Sequence, residues 1–515
     1  MTTQNSCPTI LQPLAQSNQA APQSLPALNY TNQDFASLKT RLALFLEQRF
    51  ANNFSDYFES DLGVVLAEIW AFLADMLSFK MDQNSQEVYI ASVAQLDNAF
   101  AICQANGFQP TPPIASRALF SATINSTLST DLSIPSGFQV TAGTVTYELY
   151  PADALNNPMM SQNIIIPAGA FSNTSIIGLQ GQTFIDTFTS TGVVNQAFTL
   201  NHSPVIFDSV QVSVNGTTWT QVPYFTDSKP RYEYLVEYDS SYAASVLFGN
   251  SVAGYVPSQG SQIQITYRVG GGSSGNVVTG AFNIQQGFTV PGFQITVPVT
   301  FTNYTKGDFG YDGDTIADIR RKLPAFNKVQ SRAVTGEDYQ LNAELYSSPY
   351  NGQIGKATAV LRNYGCAGNI VDLFVLARSG RNGLVQANDQ LKVELQQYMS
   401  EIQMITDYLC IKDGVVVYVD TLVDLVIPKF YKKFSAEIQA QAEQIIESFY
   451  QLANWEYGKI LRASDLLQQL SGVQQVTNTT ITFTTNNPDQ NGDTVSPKYY
   501  EIIRPDTVNI VLTFE

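Results

Sequence analysis

From Asp61 to Asp82 (DLGVVLAEIWAFLADMLSFKMD) four carboxylates, Asp61, Glu68, Asp75 and Asp82, recur every seven residues. On a helix that interval returns to the same side with a slow drift, so the four acids form one narrow strip. Nearly everything else in the segment is apolar. Leu62, Val65, Leu66, Ile69, Phe72, Leu73, Met76 and Phe79 lie on one side, and Val64, Trp70, Ala71, Ala74 and Leu77 on the other. An ordinary surface helix buries one stripe and leaves the opposite face polar. A helix apolar on almost every side is expected to be surrounded by other helices, which points to assembly before chemistry.

A chain of 515 residues is too long for one compact core, so several domains are expected. Apolar residues at 44% and aromatics at 11% supply enough material for burial, whereas charged residues reach only 14%. A surface poor in charge suits a protein largely covered by partners, because interface cores are depleted of charge. The net charge of -17 argues against nucleic acid, since phosphate binding needs a basic footprint and none is visible. Cys7, Cys103, Cys366 and Cys410 are widely spaced and have no neighbouring histidine, so neither a zinc site nor a disulfide framework is expected. No secretory signal is read at the N-terminus, and Glu68 and Asp75 interrupt the most apolar helix, which is wrong for a membrane span. Synthesis and assembly in a reducing cytoplasm are expected.

The pattern changes along the chain. Residues 1–28 carry no charged side chain and read as a flexible arm. Residues 29–113 read as a helical bundle and oligomerisation domain. Thr31 and Asp34 resemble a capping box, an aromatic turn follows at Phe54, Tyr57 and Phe58, and a third helix is expected through Val88, Ile90, Val93, Leu96 and Ile102 to a terminating Gly107. Residues 114–304 switch to a period of two and read as a β-rich domain whose only basic residues beyond position 121 are Lys229, Arg231 and Arg268. The run Gly270–Gly275 (GGGSSG) is either a flexible hinge or a tight corner. Residues 305–515 interleave helices and strands, among them a helix over Asp389–Ile402 and a strand over Val415–Ile427, and read as α+β modules. The expected class is α+β and multidomain.

Catalytic chemistry finds little support. Carboxylates seven residues apart on one helix are separated by about 10 Å along its axis, too far for a retaining glycosidase pair. His202 is the only histidine, sits in a turn-like stretch (LNHSP) and has no nucleophile elbow to serve. With one histidine and no cysteine cluster, nitrogen- and sulfur-rich metal sites are excluded. Asp308, Asp312, Asp314 and Asp318 hint at calcium but fail the EF-hand arrangement, and read better as a turn leading into a helix. The glycine run lacks the Lys-Ser/Thr of a phosphate loop. No cofactor is expected.

Several blocks carry a resemblance. The run from Asn29 (NYTNQDFASL), through Ser60–Gly63 and Leu66–Asp75, to Met81–Ile90 (MDQNSQEVYI) resembles the N-terminal signature of the baseplate J-like family, the wedge proteins of contractile phage tails and related injection machines. Further blocks follow in that family's order. They are Ile134–Gly137 (IPSG), Gly192–Leu200 with Val212–Trp219, Phe248–Asn276 ending in YRVGGGSSGN, Arg332–Tyr339 (RAVTGEDY), and Trp455–Gly458 with Ala463–Leu466 and Gly472–Val473. The resemblance covers roughly residues 29–480, and its specificity lies in the order of the blocks. Asn250 and Asp314–Thr315 depart from it, both in turns.

The resemblance implies a non-enzymatic structural subunit of the virion tail baseplate. Such a subunit pairs with a second copy of itself and with another baseplate wedge protein through the N-terminal helices. It joins neighbouring wedges in a ring through its C-terminal modules, near the hub and sheath-proximal proteins, and helps transmit the trigger for sheath contraction. Leu66, Glu68, Ile69, Trp70, Leu73, Asp75, Met76 and Leu77 are the expected bundle interface, and Arg320, Arg321 and Arg332 the expected C-terminal contact. Identical acidic strips side by side would repel, so a partner is expected to bring Lys or Arg opposite Glu68 and Asp75. No nucleic acid and no membrane insertion are expected. The alternatives are a tail-associated enzyme (a polysaccharide depolymerase or wall hydrolase) and a host-binding fibre or adhesin.

Overall fold

A computed structural model describes residues 35–49, 62–154, 156–225, 230–290, 295–330, 332–363, 369–473, 476–486 and 492–515. The arm at 1–28, the Thr31–Asp34 box, the aromatic turn at Phe54, Tyr57 and Phe58, and Cys7, Asp61, Lys229 and Cys366 lie outside the described residues. The fold is mixed α+β and multidomain. Its helices are α1 (Phe35–Arg49), α2 (Leu62–Gln86), α3 (Leu96–Ala105), α4 (Ile316–Val329), α5 (Gly336–Leu345), α6 (Asp389–Ile402), α7 (Ser435–Phe449) and α8 (Ala463–Leu470). Two compact units form, one drawn from Gln19–Phe108 with Thr315–Arg321, the other from Gln109–Asp314 and Lys322–Glu515.

In the helical unit α1 packs along α2. Among the described residues the pair does not close into a bundle, and the large apolar side chains of α2 from Val65 onward stay exposed. The third helix is shorter than its apolar spacing suggests. Val88 and Ile90 precede it in turns and Val93 in the irregular stretch after them, and α3 begins only at Leu96. The reason is local. The Glu87 carboxylate accepts from the backbone N–H groups of Ala94 (3.1 Å) and Gln95 (3.2 Å) and from Asn98 Nδ2 (3.0 Å), so it pins the chain just ahead of the helix. At the other end Gly107 takes φ +70°, the N–H of Gly107 reaches Gln104 O, and that of Phe108 reaches Cys103 O. This is a Schellman stop with Phe108 and Cys103 both buried against it.

The second unit opens with a six-stranded antiparallel sheet in the order Asn283–Thr289, Thr296–Asn303, Arg117–Ile124, Ser172–Gln180, Val145–Pro151, Phe138–Ala142. Alternation directs Ala118, Phe120, Ala122 and Ile124 into a core shared with Tyr147, Phe282, Val299 and Phe301. Gly178 leaves the space above its strand to the Phe120 ring, which a Cβ there would meet at 2.4 Å. Two four-stranded sheets follow, centred on Gln262–Val269 and on Glu233–Tyr238 with Ala244–Phe248.

The glycine run is a corner and not a hinge. Gly270, Gly271 and Gly272 take φ of +121°, +86° and +103°, a short 3-10 turn follows at Ser273–Gly275, and Asp312 accepts from both Ser273 N and Ser273 Oγ at 2.7 Å. A Cβ on Gly272 would lie 2.5 Å from Asp312 Oδ1, so this crowded turn needs glycine for space as well as for φ.

Beyond α4 come two α+β layers. In the first, α5 and α6 contribute Tyr339, Ala343, Leu391, Leu395 and Met399 to a core with Val371, Leu373 and Val375 of the strand Asn369–Ser379. In the second, Ala442, Ile446, Leu466 and Leu470 of α7 and α8 pack on Val419, Val423, Leu425 and Phe483. That sheet runs Asn478–Thr485, Val415–Ile427, Glu501–Phe514.

Candidate assembly surfaces

The heptad strip is turned toward α1. Glu68 Oε1 lies 2.6 Å from Lys39 Nζ of α1, Ala71 is wholly buried, Ser78 is nearly so, and Asp75 and Asp82 are half-buried. Positions 68, 71, 75, 78 and 82 alternate steps of three and four, which is the spacing of one seam. Across it, Leu38, Leu42 and Leu46 of α1 are half-buried. The cation opposite Glu68 therefore belongs to the same chain, where the sequence pointed to a partner's. A seam of alanine, serine and acids lets the helices approach but, among the described residues, buries no large side chain of α2.

The large side chains consequently face outward. Trp70 is 62% exposed, Phe72 58% and Phe79 70%, and Leu66, Ile69, Leu73, Met76 and Leu77 are all exposed. Leu44 and Phe45 of α1 and Val88 and Tyr89 beyond α2 are exposed too. Of the expected bundle residues, the six apolar ones lie on this outward surface and Glu68 and Asp75 on the seam.

The three arginines are used differently. Arg320 Nη2 donates to Val93 O at 2.5 Å, and its charge acts on Glu87. Burial pushes the Glu87 carboxyl up, but the Asn98 amide, the N–H groups of Gln95 and Ala94 and the charge of Arg320 outweigh it and hold the pKa below its ordinary value. Arg321 is half-buried. Arg332 is exposed, and its carbonyl accepts from Asn342 Nδ2 at 3.1 Å just ahead of α5. Arg320 and Arg321 belong to the helical unit and Arg332 to the other.

The residues considered for chemistry have structural partners. Asp314 is buried with Lys322 Nζ, Tyr311 Oη and Thr111 N each 2.7 Å from its carboxylate. Asp318 accepts from Thr315 N (3.1 Å) and Oγ1 (2.7 Å) and caps α4, as the first-turn reading expects. Asp308 pairs with Lys306 at 3.0 Å. Among the described residues no group of three or more His, Cys, Asp or Glu is placed to hold a metal ion. His202 is exposed, stacks on Phe184 at 4.0 Å and lies 3.0 Å through Nδ1 from Tyr267 Oη, which donates to Asp186 at 2.9 Å. Burial and the Asp186 carboxylate push the Tyr267 phenol up to about 12, so it holds its proton and acts as a spacer.

One feature was not legible beforehand. A cavity of about 350 Å³ is lined in part by Tyr150, Met160, Thr183, Arg268 and Tyr350, with Glu148 and Arg268 paired at 3.1 Å and both buried. Glu148 also accepts from Thr183 N (2.7 Å), Thr183 Oγ1 (2.8 Å) and Tyr150 Oη (2.9 Å), while Arg268 Nη2 donates to the carbonyls of Leu179 and Gln180. The pair is thus ringed by donors and acceptors of the protein. The available signal was one arginine in a strand of alternating apolar residues, but its acid lies 120 residues away.

No family model and no curated relative matches the chain. Among solved structures, it is similar over 90% of its length, and 90% of the other chain's, to a chain of the cryo-EM structure of the anti-feeding prophage (AFP) baseplate, 6-fold symmetrised, at 10% identity and a TM-score of 0.31.

Proposed function

We propose that this chain is a non-enzymatic structural subunit of a contractile-tail baseplate wedge. In this reading it assembles with a second copy and a second wedge protein through α1 and α2, meets neighbouring wedges through its C-terminal modules, and passes on the trigger for sheath contraction. The observation that carries the proposal is the outward apolar surface of α2. Leu66, Ile69, Trp70, Leu73, Met76 and Leu77 stand exposed on one helix while its polar seam is occupied by α1. Contiguous exposed apolar surface of this kind marks an interaction site. The ordered sequence blocks supply the setting, and the charge-poor surface agrees with it.

Burying each such side chain contributes about 1.5–3 kcal/mol. Trp70→Asp with Leu73→Asp is therefore expected to abolish wedge assembly when the full chain is co-expressed with its neighbouring tail proteins and the complexes are weighed by native mass spectrometry. Complexes of unchanged mass would remove the proposal. A zymogram on cell-wall and capsular polysaccharide, run on the same protein, is expected to stay blank.

A further inference from the structure

The cavity beside Glu148 and Arg268 has a polar floor and an aromatic wall. The floor is one face of the sheet centred on Gln262–Val269. Gln211 pairs directly with Thr266, and Thr183 pairs directly with Arg268. Directly paired residues project to the same side, as do residues two apart on a strand, so these four side chains share one face. Tyr150 and Tyr350 add two phenol rings and Met160 an apolar thioether. The volume of about 350 Å³ lies at the small end of ligand pockets, which run from about 300 to 1,000 Å³.

The two charged groups are not equally engaged. The Glu148 carboxylate accepts from Thr183, Tyr150, Gln139 and Arg268. Arg268 gives Nε to Glu148 and Nη2 to the carbonyls of Leu179 and Gln180. Its Nη1, with two N–H groups, has no partner among the described residues, although the side chain is only 6% exposed. A buried donor left unpaired is costly. The side chains of Gln211 and Thr266 make no hydrogen bond among the described residues either, and each offers both a donor and an acceptor. Charge narrows the choice of ligand. Glu148 cancels Arg268, and the charge of Asp208 also reaches the Tyr350 phenol. An anion would therefore meet two carboxylates for one guanidinium, and a cation would meet the guanidinium. A fitting ligand is neutral, carries donors and acceptors around its rim, and offers C–H surface to aromatic faces. We propose that this cavity binds one neutral hexose unit, with its hydroxyls on Arg268 Nη1, Thr266 and Gln211 and its C–H faces against Tyr150 and Tyr350.

The site involves neither α2 nor assembly, so it stands or falls apart from the wedge reading. The test is isothermal titration calorimetry of the full chain with glucose, galactose and mannose, each set beside its uronate. At least one neutral hexose is expected to bind with Kd on the order of 1 mM, and its uronate at least about tenfold more weakly. The methyl glycoside of the sugar that binds then separates two sources. Equal affinity marks the end of a glycan chain, and lost affinity marks the free sugar. Gln211→Ala, at an exposed position, and Gln211→Ala with Thr266→Val leave the buried pair intact. The single variant is expected to weaken binding several-fold and the double variant about tenfold or more, both with unchanged Tm. No heat from any neutral hexose, uronates binding as tightly as the neutral sugars, or undiminished binding by the folded variants would overturn the site and leave water as its occupant.

Discussion

Gln95, at the cap position of α3, makes no side-chain cap, and Glu87 instead fixes the start of the helix by accepting from the N–H groups of Ala94 and Gln95 just ahead of it. Glu87→Gln is expected to cost about 1 kcal/mol, the scale of a lost cap, seen as a lower Tm for the helical unit. Because the folded-state pKa is lowered, the carboxylate's contribution is fully present above its unfolded pKa, and it is lost as pH falls through the folded value. Urea titrations of wild type and variant should therefore differ above about pH 4.3 and converge only as pH falls well below it. Glu148 and Arg268 obey a harsher rule, since both are buried. Arg268→Met leaves a buried carboxylate unpaired and is expected to cost about 3–5 kcal/mol, whereas Arg268→Met with Glu148→Leu should regain much of that in equilibrium denaturation. The role of Glu87 was hidden from periodicity because Val88, Ile90 and Val93 mimic helical spacing. The buried pair was hidden because no local pattern joins positions 148 and 268.

For single elements, the sequence was most informative where the local signal and the packing agree. Asp389–Ile402, Val415–Ile427 and Ala463–Leu470 occupy the spans that their periodicities give. The Gly107 stop is equally local, a left-handed residue followed by a buried Phe108. The glycine run could be read two ways from sequence, and it became a corner because Asp312, in a distant loop, holds Ser273. The seam between α1 and α2 allows a comparison of two forces. The Lys39–Glu68 bridge is partly exposed on both sides, so Lys39→Ala should cost less than about 1 kcal/mol. Ala71 is wholly buried, and Ala71→Leu should cost about 1–3 kcal/mol by overpacking. Thermal denaturation of the two variants checks the order, which would reverse if charge pairing held the helices together.

At the scale of the whole molecule, stability and assembly are predicted to separate. Trp70 and Leu73 are exposed in the isolated chain, so their replacement by Asp removes little intramolecular packing. The double variant should unfold within about 1 kcal/mol of wild type while losing its wedge complexes with the neighbouring tail proteins. A large fall in stability would instead mean that these side chains serve the fold of the single chain. The two sites proposed here are also chemically distinct. The α2 surface offers large apolar side chains, whereas the cavity beside Arg268 offers a hydroxyl, an amide and one guanidinium nitrogen. Salt should affect neither strongly, since neither relies on a net charge.

The seven-residue interval determined by itself that Glu68, Asp75 and Asp82 share one side of a helix, because helical geometry is a local property of the backbone. It also determined that this helix carries more apolar surface than one neighbour can cover. Which neighbour takes the acidic strip was decided only in three dimensions. Lys39 comes from another helix, and its approach to Glu68 depends on the small side chains at Ala71 and Ser78 that admit α1. That close approach, which no period in the sequence encodes, is what turns Trp70 and its neighbours outward.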